Sequence, residues 1–359
     1  MNIQTTTILL ALSLGALACS ANAANLDAPV IEASNEPGVI GVVSERVEKL
    51  VVDDERLYWI GTRLQPSERA NGWFLHSCQK RNCAATLVTY DSVRYYNRDN
   101  ETHTLWVNGG QIYWSSPALV GLTTCPIAGC NGWPRTVSRN TPYNIVFDDD
   151  QIYFSVGEGI QSLSVLDPGL EQQVAVSTSA LILAVQDGYL YWLSGSDISG
   201  LKRISRTRKD GSSGIETTSN DVKLSTSRGF GAAIETTSIY WTNNLLAGSI
   251  NRCPLTGCSG ASDVVIAPLR APGNLRLDGS ELYYKHELKP YEYSLASCSL
   301  PACAQSSPLV EHLSAPGAFA LDGQYLYIAT TEQDVSPYNV DEDISSRIRR
   351  LPKPNQELP

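Results

Sequence analysis

Apolar and aromatic residues recur along this chain in short runs that are separated by Gly, Pro, Asn and Asp. After residue 23, no window of 12 or more residues keeps a helical period of apolar positions, so the pattern predicts short β-strands throughout. One tripeptide, in which an aliphatic residue precedes Tyr and a second aromatic residue, returns every 38 to 55 residues. Its copies are Leu57-Tyr58-Trp59, Ile112-Tyr113-Trp114, Ile152-Tyr153-Phe154, Leu190-Tyr191-Trp192, Ile239-Tyr240-Trp241 and Leu282-Tyr283-Tyr284, and Leu326-Tyr327-Ile328 differs at its last position.

A turn-forming residue stands five positions before the repeat tyrosine in most copies. These residues are Asp53, Asn108, Asp148, Asp278 and Asp322, with Glu235 in the fifth copy and Asp187-Gly188 in the shorter fourth copy. A turn at this place predicts that the tripeptide lies in the second strand of a hairpin. Each repeat then divides into four short strands, which in the sixth repeat are 274–277, 281–285, 293–299 and 309–312. Four strands in roughly 40–50 residues, repeated seven times, predict an all-β, seven-bladed β-propeller of four-stranded blades.

The seventh repeat has only three strands, at residues 318–321, 325–329 and 347–351. Residues 38–43 form a stray strand before the first turn. We predict that this N-terminal strand completes the seventh blade and closes the ring, which removes exposed sheet edges. This assignment places the propeller at residues 38–353, a linker at 24–37 and a C-terminal tail at 354–359.

The N-terminal residues predict export. The apolar run from Ile8 to Ala18 is too short to cross a bilayer, which needs about 20 residues, and Ala21-Asn22-Ala23 has the form of a signal-peptidase site. We expect residues 1–23 to be a signal peptide and the mature protein to be extracellular or periplasmic, without a transmembrane segment. Cys19 supplies the alternative, a lipoprotein that is anchored at this residue.

The other eight cysteines form four pairs with C-x4-C spacing, each between the third and fourth strands of its repeat. The pairs are Cys78 with Cys83, Cys125 with Cys130, Cys253 with Cys258 and Cys298 with Cys303. A zinc site is the alternative to disulfides, but it needs two pairs at one place. Export and the dispersal of the pairs along the chain favour disulfides. Leu163, Ile204 and Leu351 are predicted to occupy the cysteine position in the third, fourth and seventh repeats.

The fifth repeat carries a further signature. Ile239-Tyr240-Trp241-Thr242-Asn243 followed by Ile250-Asn251-Arg252 resembles the YWTD repeat of lipoprotein-receptor propellers. The segments Leu201-Lys202-Arg203 and Asp210-Gly211-Ser212 resemble it too. The whole chain is similar to exported bacterial propellers of YWTD-like repeats, with the C-x4-C pairs added. It has seven copies where the YWTD family has six, and Thr-Asp follows Tyr-Trp nowhere. The resemblance implies a ligand-binding platform and transfers no catalytic residue.

The composition excludes some partners. The formal net charge is −10, the pI is near 5.0 and only 18% of the residues are charged. A nucleic-acid partner requires a basic face, so none is expected. An anionic membrane surface is equally disfavoured as the main partner.

Candidate catalytic groups are few. The chain has no Gly-x-Ser-x-Gly elbow, and His76, His103, His286 and His312 are scattered without metal-ligand spacing. A metal in the central channel would need carboxylates on the innermost strands. The variable innermost positions instead hold Lys49, Asn144, Asn274 and Arg276 beside Val51, Trp106, Val146 and Ala320. We predict no catalytic residue, metal or cofactor; a Ca²⁺ loop at Asn339, Asp341 and Asp343 is the alternative, although Ile344 stands where an EF-hand loop needs Gly.

Long loops on one face give the best candidate site. In a propeller, the loops between second and third strands and the connections between blades emerge together. They are long in repeats one, six and seven, which ring closure makes neighbours, and long loops on rigid scaffolds often carry function. Tyr and Arg are typical of interface hot spots, whereas tolerated insertion is the alternative. The predicted binding residues are Trp73, Arg94, Tyr95, Tyr96, Arg98, Tyr291, Tyr338 and Asp341.

Two classes of function follow. The first is an exported, non-enzymatic propeller that recognises a protein, peptide or glycan through this loop face. The second is a propeller enzyme, a lyase or lactonase-like hydrolase that acts at the channel mouth and needs converging titratable groups there. The innermost strands supply few such groups, so the sequence favours recognition.

Overall fold

The computed structural model describes residues 31–65, 70–96, 104–115, 121–130, 134–142, 144–157, 159–167, 170–177, 180–194, 201–223, 230–290, 292–301, 303, 306–313, 318–331 and 345–354. Over these residues the chain is all-β, and its strands form seven antiparallel sheets that are the blades of a β-propeller. The predicted fold is therefore confirmed. The described residues contain no helix long and apolar enough to cross a bilayer.

The strands follow each other from the inside to the outside of successive blades. They are β1 Ile31–Glu32 and β2 Val39–Val43; in blade one β3 Arg46–Val52, β4 Arg56–Gln65, β5 Ala70–Gln79 and β6 Val88–Tyr96; in blade two β7 Thr104–Asn108, β8 Gln111–Ser115, β9 Leu122–Pro126 and β10 Arg135–Ser138; in blade three β11 Ile145–Asp148, β12 Gln151–Val156, β13 Gly159–Ser164 and β14 Gln172–Val176; in blade four β15 Leu181–Gln186, β16 Tyr189–Ser194, β17 Leu201–Arg208 and β18 Glu216–Lys223; in blade five β19 Ala232–Ile234, β20 Ser238–Asn243, β21 Gly248–Pro254 and β22 Asp263–Leu269; in blade six β23 Gly273–Asp278, β24 Glu281–Lys289, β25 Glu292–Ser299 and β26 Ser307–Leu313; and in blade seven β27 Phe319–Leu321, β28 Tyr325–Thr331 and β29 Ser346–Pro352.

The N-terminal strand completes blade seven, as predicted. β2 pairs antiparallel with β29, with Val43 opposite Ser346. β1 lies within the segment predicted to be a linker; it pairs with β2 and adds a fifth strand at the outer edge of the blade. The chain then passes from β2 into β3, the innermost strand of blade one, so residues from both ends of the sequence hold the ring closed.

The repeat tripeptide builds the interfaces between blades. Successive residues of a strand point to opposite faces of its sheet, and Tyr58 accordingly packs in a cluster with Trp114 of blade two. Trp59 packs on the other face with Tyr327 of blade seven. The same pairing of one blade's tyrosine with the next blade's third tripeptide residue occurs in all seven clusters. At the interface of blades six and seven, Ile328 takes the place of the aromatic residue.

The four predicted disulfides are present, and each closes the hairpin between the third and fourth strands of its blade. They join Cys78 to Cys83 in blade one, Cys125 to Cys130 in blade two, Cys253 to Cys258 in blade five and Cys298 to Cys303 in blade six. Their Cα atoms lie 4.7, 5.1, 5.3 and 5.0 Å apart in the same order. In β5, Cys78 faces Leu57 of β4, and Leu163 and Leu351 hold the equivalent positions in blades three and seven.

The prediction for blade four is wrong. There Thr207, not Ile204, faces the first residue of the tripeptide. The Thr207 hydroxyl donates a 2.8 Å hydrogen bond to the carbonyl oxygen of Ser213 across the hairpin. A polar contact thus replaces the disulfide. The connection between the second and third strands is longer in blade four than in blade five, so spacing alone misplaced the equivalent residue.

Candidate functional site

The innermost strands of blades one to six enclose a cavity of about 370 Å³ on the axis of the propeller. Each blade contributes a short run of residues: 49–51, 104–106, 144–146, 181–183, 230–232 and 274–276. The runs stop before the turns that lead into the second strands. The cavity therefore occupies the half of the channel that lies nearer to the connections between blades.

The cavity wall is charged on one side only. In each blade, one innermost residue faces the repeat tyrosine of the second strand; these residues are Val51, Trp106, Val146, Ala184, Ala233, Arg276 and Ala320. Arg276 is the only ionisable residue in this set. Two positions closer to the start of its strand, Lys49 adds a second cation from blade one. Blade seven lies between blades six and one, so both charges come from the same sector of the ring.

Lys49 and Arg276 remain accessible to water in the channel although protein surrounds them on most sides. Burial lowers the pKa of Lys49, and the positive charge of Arg276 lowers it further. Burial also lowers the pKa of Arg276. Among the described residues that line this cavity, none is a carboxylate, a histidine or a cysteine. Two like charges thus face one space without a counter-ion in its wall.

A third cation, Lys285 of β24, lies close to this pair. Its side chain is buried, and Nζ has no hydrogen-bond partner within the described part of the chain. The centroid of the Tyr293 ring lies 5.3 Å from Nζ, a cation–π contact. Burial, and then the charge of Lys49, lower the pKa of Lys285 to about 7. No motif marks Lys285 in the sequence, but the repeats carry a signal. The residues at the same place in the other blades are Ile60, Ser115, Ser155, Leu193, Thr242 and Ala329, none of which is charged.

Two asparagines complete the polar part of the wall. Asn144 donates a hydrogen bond from Nδ2 to the carbonyl oxygen of Ile182 in the next blade. Asn274 has a φ of 47° and lies where the register of β23 shifts between Gly273 and Arg276. Asn tolerates this left-handed conformation better than most residues. As predicted, Lys49, Asn144, Asn274, Arg276, Val51, Trp106 and Val146 lie on the channel, whereas Ala320 is buried in a cluster between blades seven and one.

The face where the blade connections emerge carries two projecting hairpins. In blade one, β4 and β5 stay paired as far as Gln65 opposite Ala70, seven residues beyond Tyr58. In blade six, β24 and β25 stay paired as far as Lys289 opposite Glu292. The described pairing of blades two to five ends two or three residues beyond the tyrosine. The hairpins of blades one and six therefore rise on either side of blade seven.

The tip of the blade-six hairpin is polar and exposed. The carboxylate of Glu292 lies 2.7 Å from Lys289 Nζ and 2.7 Å from His312 Nδ1. These two contacts lower the pKa of Glu292. Leu288 is 38% exposed beside them. This mixture of charge and apolar surface is suited to contact with a polar partner.

The blade-one hairpin is anchored by a buried acid and imidazole. His76 Nε2 lies 3.1 Å from Oε1 of Glu45, and both side chains are fully buried. The second ring nitrogen of His76 lies 3.0 Å from the hydroxyl of Thr89. A Cβ at Gly61 would come within 2.0 Å of the Glu45 carboxylate, so only glycine fits there. This pair joins the segment that follows β2 to blade one.

The predicted binding residues fall into three groups. Trp73 is fully buried with Tyr58 and Leu75 at the interface of blades one and two, which corrects its assignment to an exposed surface. The sequence pattern predicts a loop here, but the regular pairing of β4 and β5 continues and turns Trp73 inward. Arg94, Tyr95 and Tyr96 lie on β6, the outer strand beside the blade-one hairpin. Arg98, Tyr291, Tyr338 and Asp341, and the calcium candidates Asn339 and Asp343, lie outside the described residues.

No group of three or more His, Cys, Asp or Glu side chains within the described ranges is close enough to hold a metal ion.

Comparisons with known proteins support the fold alone. No protein-family model matches the sequence, and no curated protein shows significant similarity to it. Among solved structures, the Pyrococcus horikoshii acylaminoacyl peptidase matches 80% of this chain and 49% of its own at 7% identity and a TM-score of 0.55. The WD40 propeller domain of Doa1 matches 85% of this chain and 92% of its own, at 8% identity and a TM-score of 0.51. Nidogen, in the nidogen/laminin complex, matches 70% of this chain and 92% of its own, at 13% identity and with a TM-score of only 0.44.

Proposed function

We propose that this protein is an exported, non-enzymatic recognition module that binds a protein, peptide or glycan on its projecting hairpin face. The observation that carries the proposal is the asymmetry of the ring: only the hairpins of blades one and six extend well beyond the propeller body in the described pairing. Elements that project from a rigid β-scaffold are common binding sites. Four disulfides are the staples expected of a protein that works outside the cytosol.

The axial cavity supports binding over catalysis. Its described lining offers amides, two cations and apolar groups, but not the carboxylate or histidine that would hold a metal or act as a general base. A propeller enzyme of the lyase or lactonase-like type would require such groups at the channel mouth. YWTD-like ancestry agrees with a binding platform and belongs to the same proposal.

The proposal is tested by capture of ligands from the native extracellular medium and by screening on glycan and peptide arrays. We expect Tyr95→Ala and Tyr338→Ala to weaken the captured interaction by about 2 kcal/mol or more while the melting temperature stays nearly unchanged. Leu166→Ala is the matched control, because Leu166 is 77% exposed in a hairpin on the opposite face. Trp192→Ala should instead cost roughly 3 kcal/mol of stability, as the truncation of a fully buried side chain.

Two results would contradict the proposal. Ligand capture that is insensitive to both tyrosine substitutions would place the site elsewhere. Turnover of a substrate that is lost on chelation, or on changing Asn144 or Asn274, would favour the enzyme.

A further inference from the structure

We propose that the axial cavity is a binding site for a small anion with an apolar body, whose carboxylate or phosphate group lies against Lys49 and Arg276. This site is built by the innermost strands, and it does not depend on what the projecting hairpins bind. Failure of one proposal therefore leaves the other intact.

Two positive charges face the cavity without a compensating negative charge in its described lining. Lys49 and Arg276 both line the cavity and both are open to its solvent. Neither has a salt-bridge partner among the described residues. Glu48, the neighbour of Lys49 in β3, lies 3.2 Å from the Nε atom of Arg46 instead. An anion between the two cations would replace their mutual repulsion with two attractive contacts, and a guanidinium can bind carboxylate or phosphate oxygens in a bidentate manner.

A buried ammonium group lies close to Lys49. Lys285 stands where other blades carry small or apolar side chains, and no carboxylate compensates it. A buried cation without a partner is costly for folding. Its electrostatic coupling to Lys49 adds positive potential to the same sector of the cavity. A structural explanation for a third cation at this place would require an acid paired with it. Among the described residues Lys285 has no salt bridge, and the nearby acid of its own strand, Glu287, pairs with Arg270 instead.

The opposite wall of the cavity is apolar. Trp106, Val146 and Leu183 face the cavity from blades two, three and four, and Phe230 from blade five. A volume of about 370 Å³ is at the lower end of the range for small-molecule sites. An inorganic ion would leave this apolar surface uncovered. An aromatic or branched aliphatic acid fills it while placing its anionic group on the cationic side.

The test uses four ligands with the same ring: benzoate, phenyl phosphate, benzamide and benzylamine. Isothermal titration calorimetry with the intact mature protein should show that benzoate or phenyl phosphate binds at least about tenfold more tightly than neutral benzamide, with benzylamine weakest. The stronger of the two anions identifies the oxyanion. Arg276→Ala and Lys49→Met should each weaken the binding of that anion at least about tenfold, and each should change the affinity for benzamide by less than about twofold. Arg81→Ala, an exposed cation on the disulfide hairpin of blade one, controls for net charge and should change neither affinity.

Circular dichroism melting shows whether each variant folds, and Arg276→Gln, which also removes the charge, replaces Arg276→Ala if the latter does not. A crystal soaked in 4-iodobenzoate should place the iodine on the Trp106 side of the cavity. Three results would overturn the proposal: equal affinity for benzoate, phenyl phosphate and benzamide, equal anion affinity in the wild type and the Arg276 variants, or no binding of any anion at millimolar concentration.

Discussion

The hydroxyl of Tyr58 donates a 2.6 Å hydrogen bond to Oδ2 of Asp53, the residue that stands five positions earlier in the repeat. The other oxygen of Asp53 accepts hydrogen bonds from the backbone N–H groups of Glu55 and Arg56 at 2.9 and 2.7 Å. One carboxylate thus caps the turn and holds the tyrosine that packs against the next blade. Burial raises the pKa of Tyr58, and the hydrogen bond to Asp53 raises it further, so the phenol keeps its proton.

We predict that Tyr58→Phe costs about 1 kcal/mol of stability, because it deprives Asp53 of one hydrogen bond and leaves the aromatic packing in place. Asp53→Ala should cost about 2–3 kcal/mol, since it removes the cap as well. Urea unfolding measures both. Tyr283→Phe is the control: in blade six Asp278 pairs with Lys353 instead, so this change should cost clearly less. Equal costs for the two Tyr→Phe variants would contradict the role of the hydrogen bond.

The disulfides are expected to stabilise single blades. Replacing Cys253 and Cys258 together by Ala should cost about 2 kcal/mol, the chain-entropy value for so short a loop. Calorimetry should still show a folded propeller, because the ring is closed by β2 and β29. Thr207→Val, which removes the polar contact that spans the blade-four hairpin, should cost about 1 kcal/mol. Loss of the folded state on breaking this one disulfide would show that the disulfides, and not only the strand pairing of β2 with β29, are needed to keep the propeller closed.

Ring closure should depend on β2 and not on β1. A chain that starts at residue 34 lacks β1 and should melt close to the wild type, since β1 adds only two residue pairs at the outer edge. A chain that starts at residue 45 lacks β2 as well, which exposes the edge of β29 and invites edge-to-edge association. Light scattering and melting measure the difference. A stable, monomeric chain without β2 would show that the other three strands suffice for blade seven.

Lys285 should destabilise the folded protein in a pH-dependent way. Its pKa is about 7 in the folded protein against 10.5 for the unperturbed group, so the unfolded chain takes up the proton first as the pH falls. The loss of folding stability caused by Lys285 grows as the pH falls from about 10.5 to about 7, and it reaches its full value below that pH. The Lys285→Met variant should therefore be more stable than the wild type by on the order of 4 kcal/mol at pH 6 and by about 1 kcal/mol at pH 9.5. Lys289→Met, at an exposed position, should show no such gain; a gain that does not depend on pH would assign the effect to packing alone.

The architecture could be predicted from the sequence because the same kinds of residue recur from blade to blade. The tyrosine, its turn residue and the cysteine pair each recur at fixed places, so seven copies reinforce one interpretation. Ring closure followed from a missing strand at one end and a surplus strand at the other. The prediction failed in blade four because the connection between its second and third strands is longer than in blade five, so that Thr207 and not Ile204 holds the cysteine position.

The candidate sites were harder to predict because each occurs only once. Trp73 lay in what the sequence presented as a loop, and only the register of β4 and β5 shows that it points into the core. Lys49 and Arg276 were placed on the innermost strands correctly, but their proximity depends on the order of blades around the axis. Glu45 and His76 are 31 residues apart in the sequence, and no local pattern predicts their contact.

The alternation of tyrosine and third tripeptide residue around the ring has a thermodynamic consequence. In an open repeat array, each end unit has one neighbour, and unfolding can start there and spread inward. In this closed ring every blade packs against two neighbouring blades, so the array has no end unit. Opening any interface creates two ends at once, so the protein should unfold as a single cooperative unit. The interface of blades six and seven, where Ile328 replaces an aromatic ring, is where hydrogen exchange should first detect that opening.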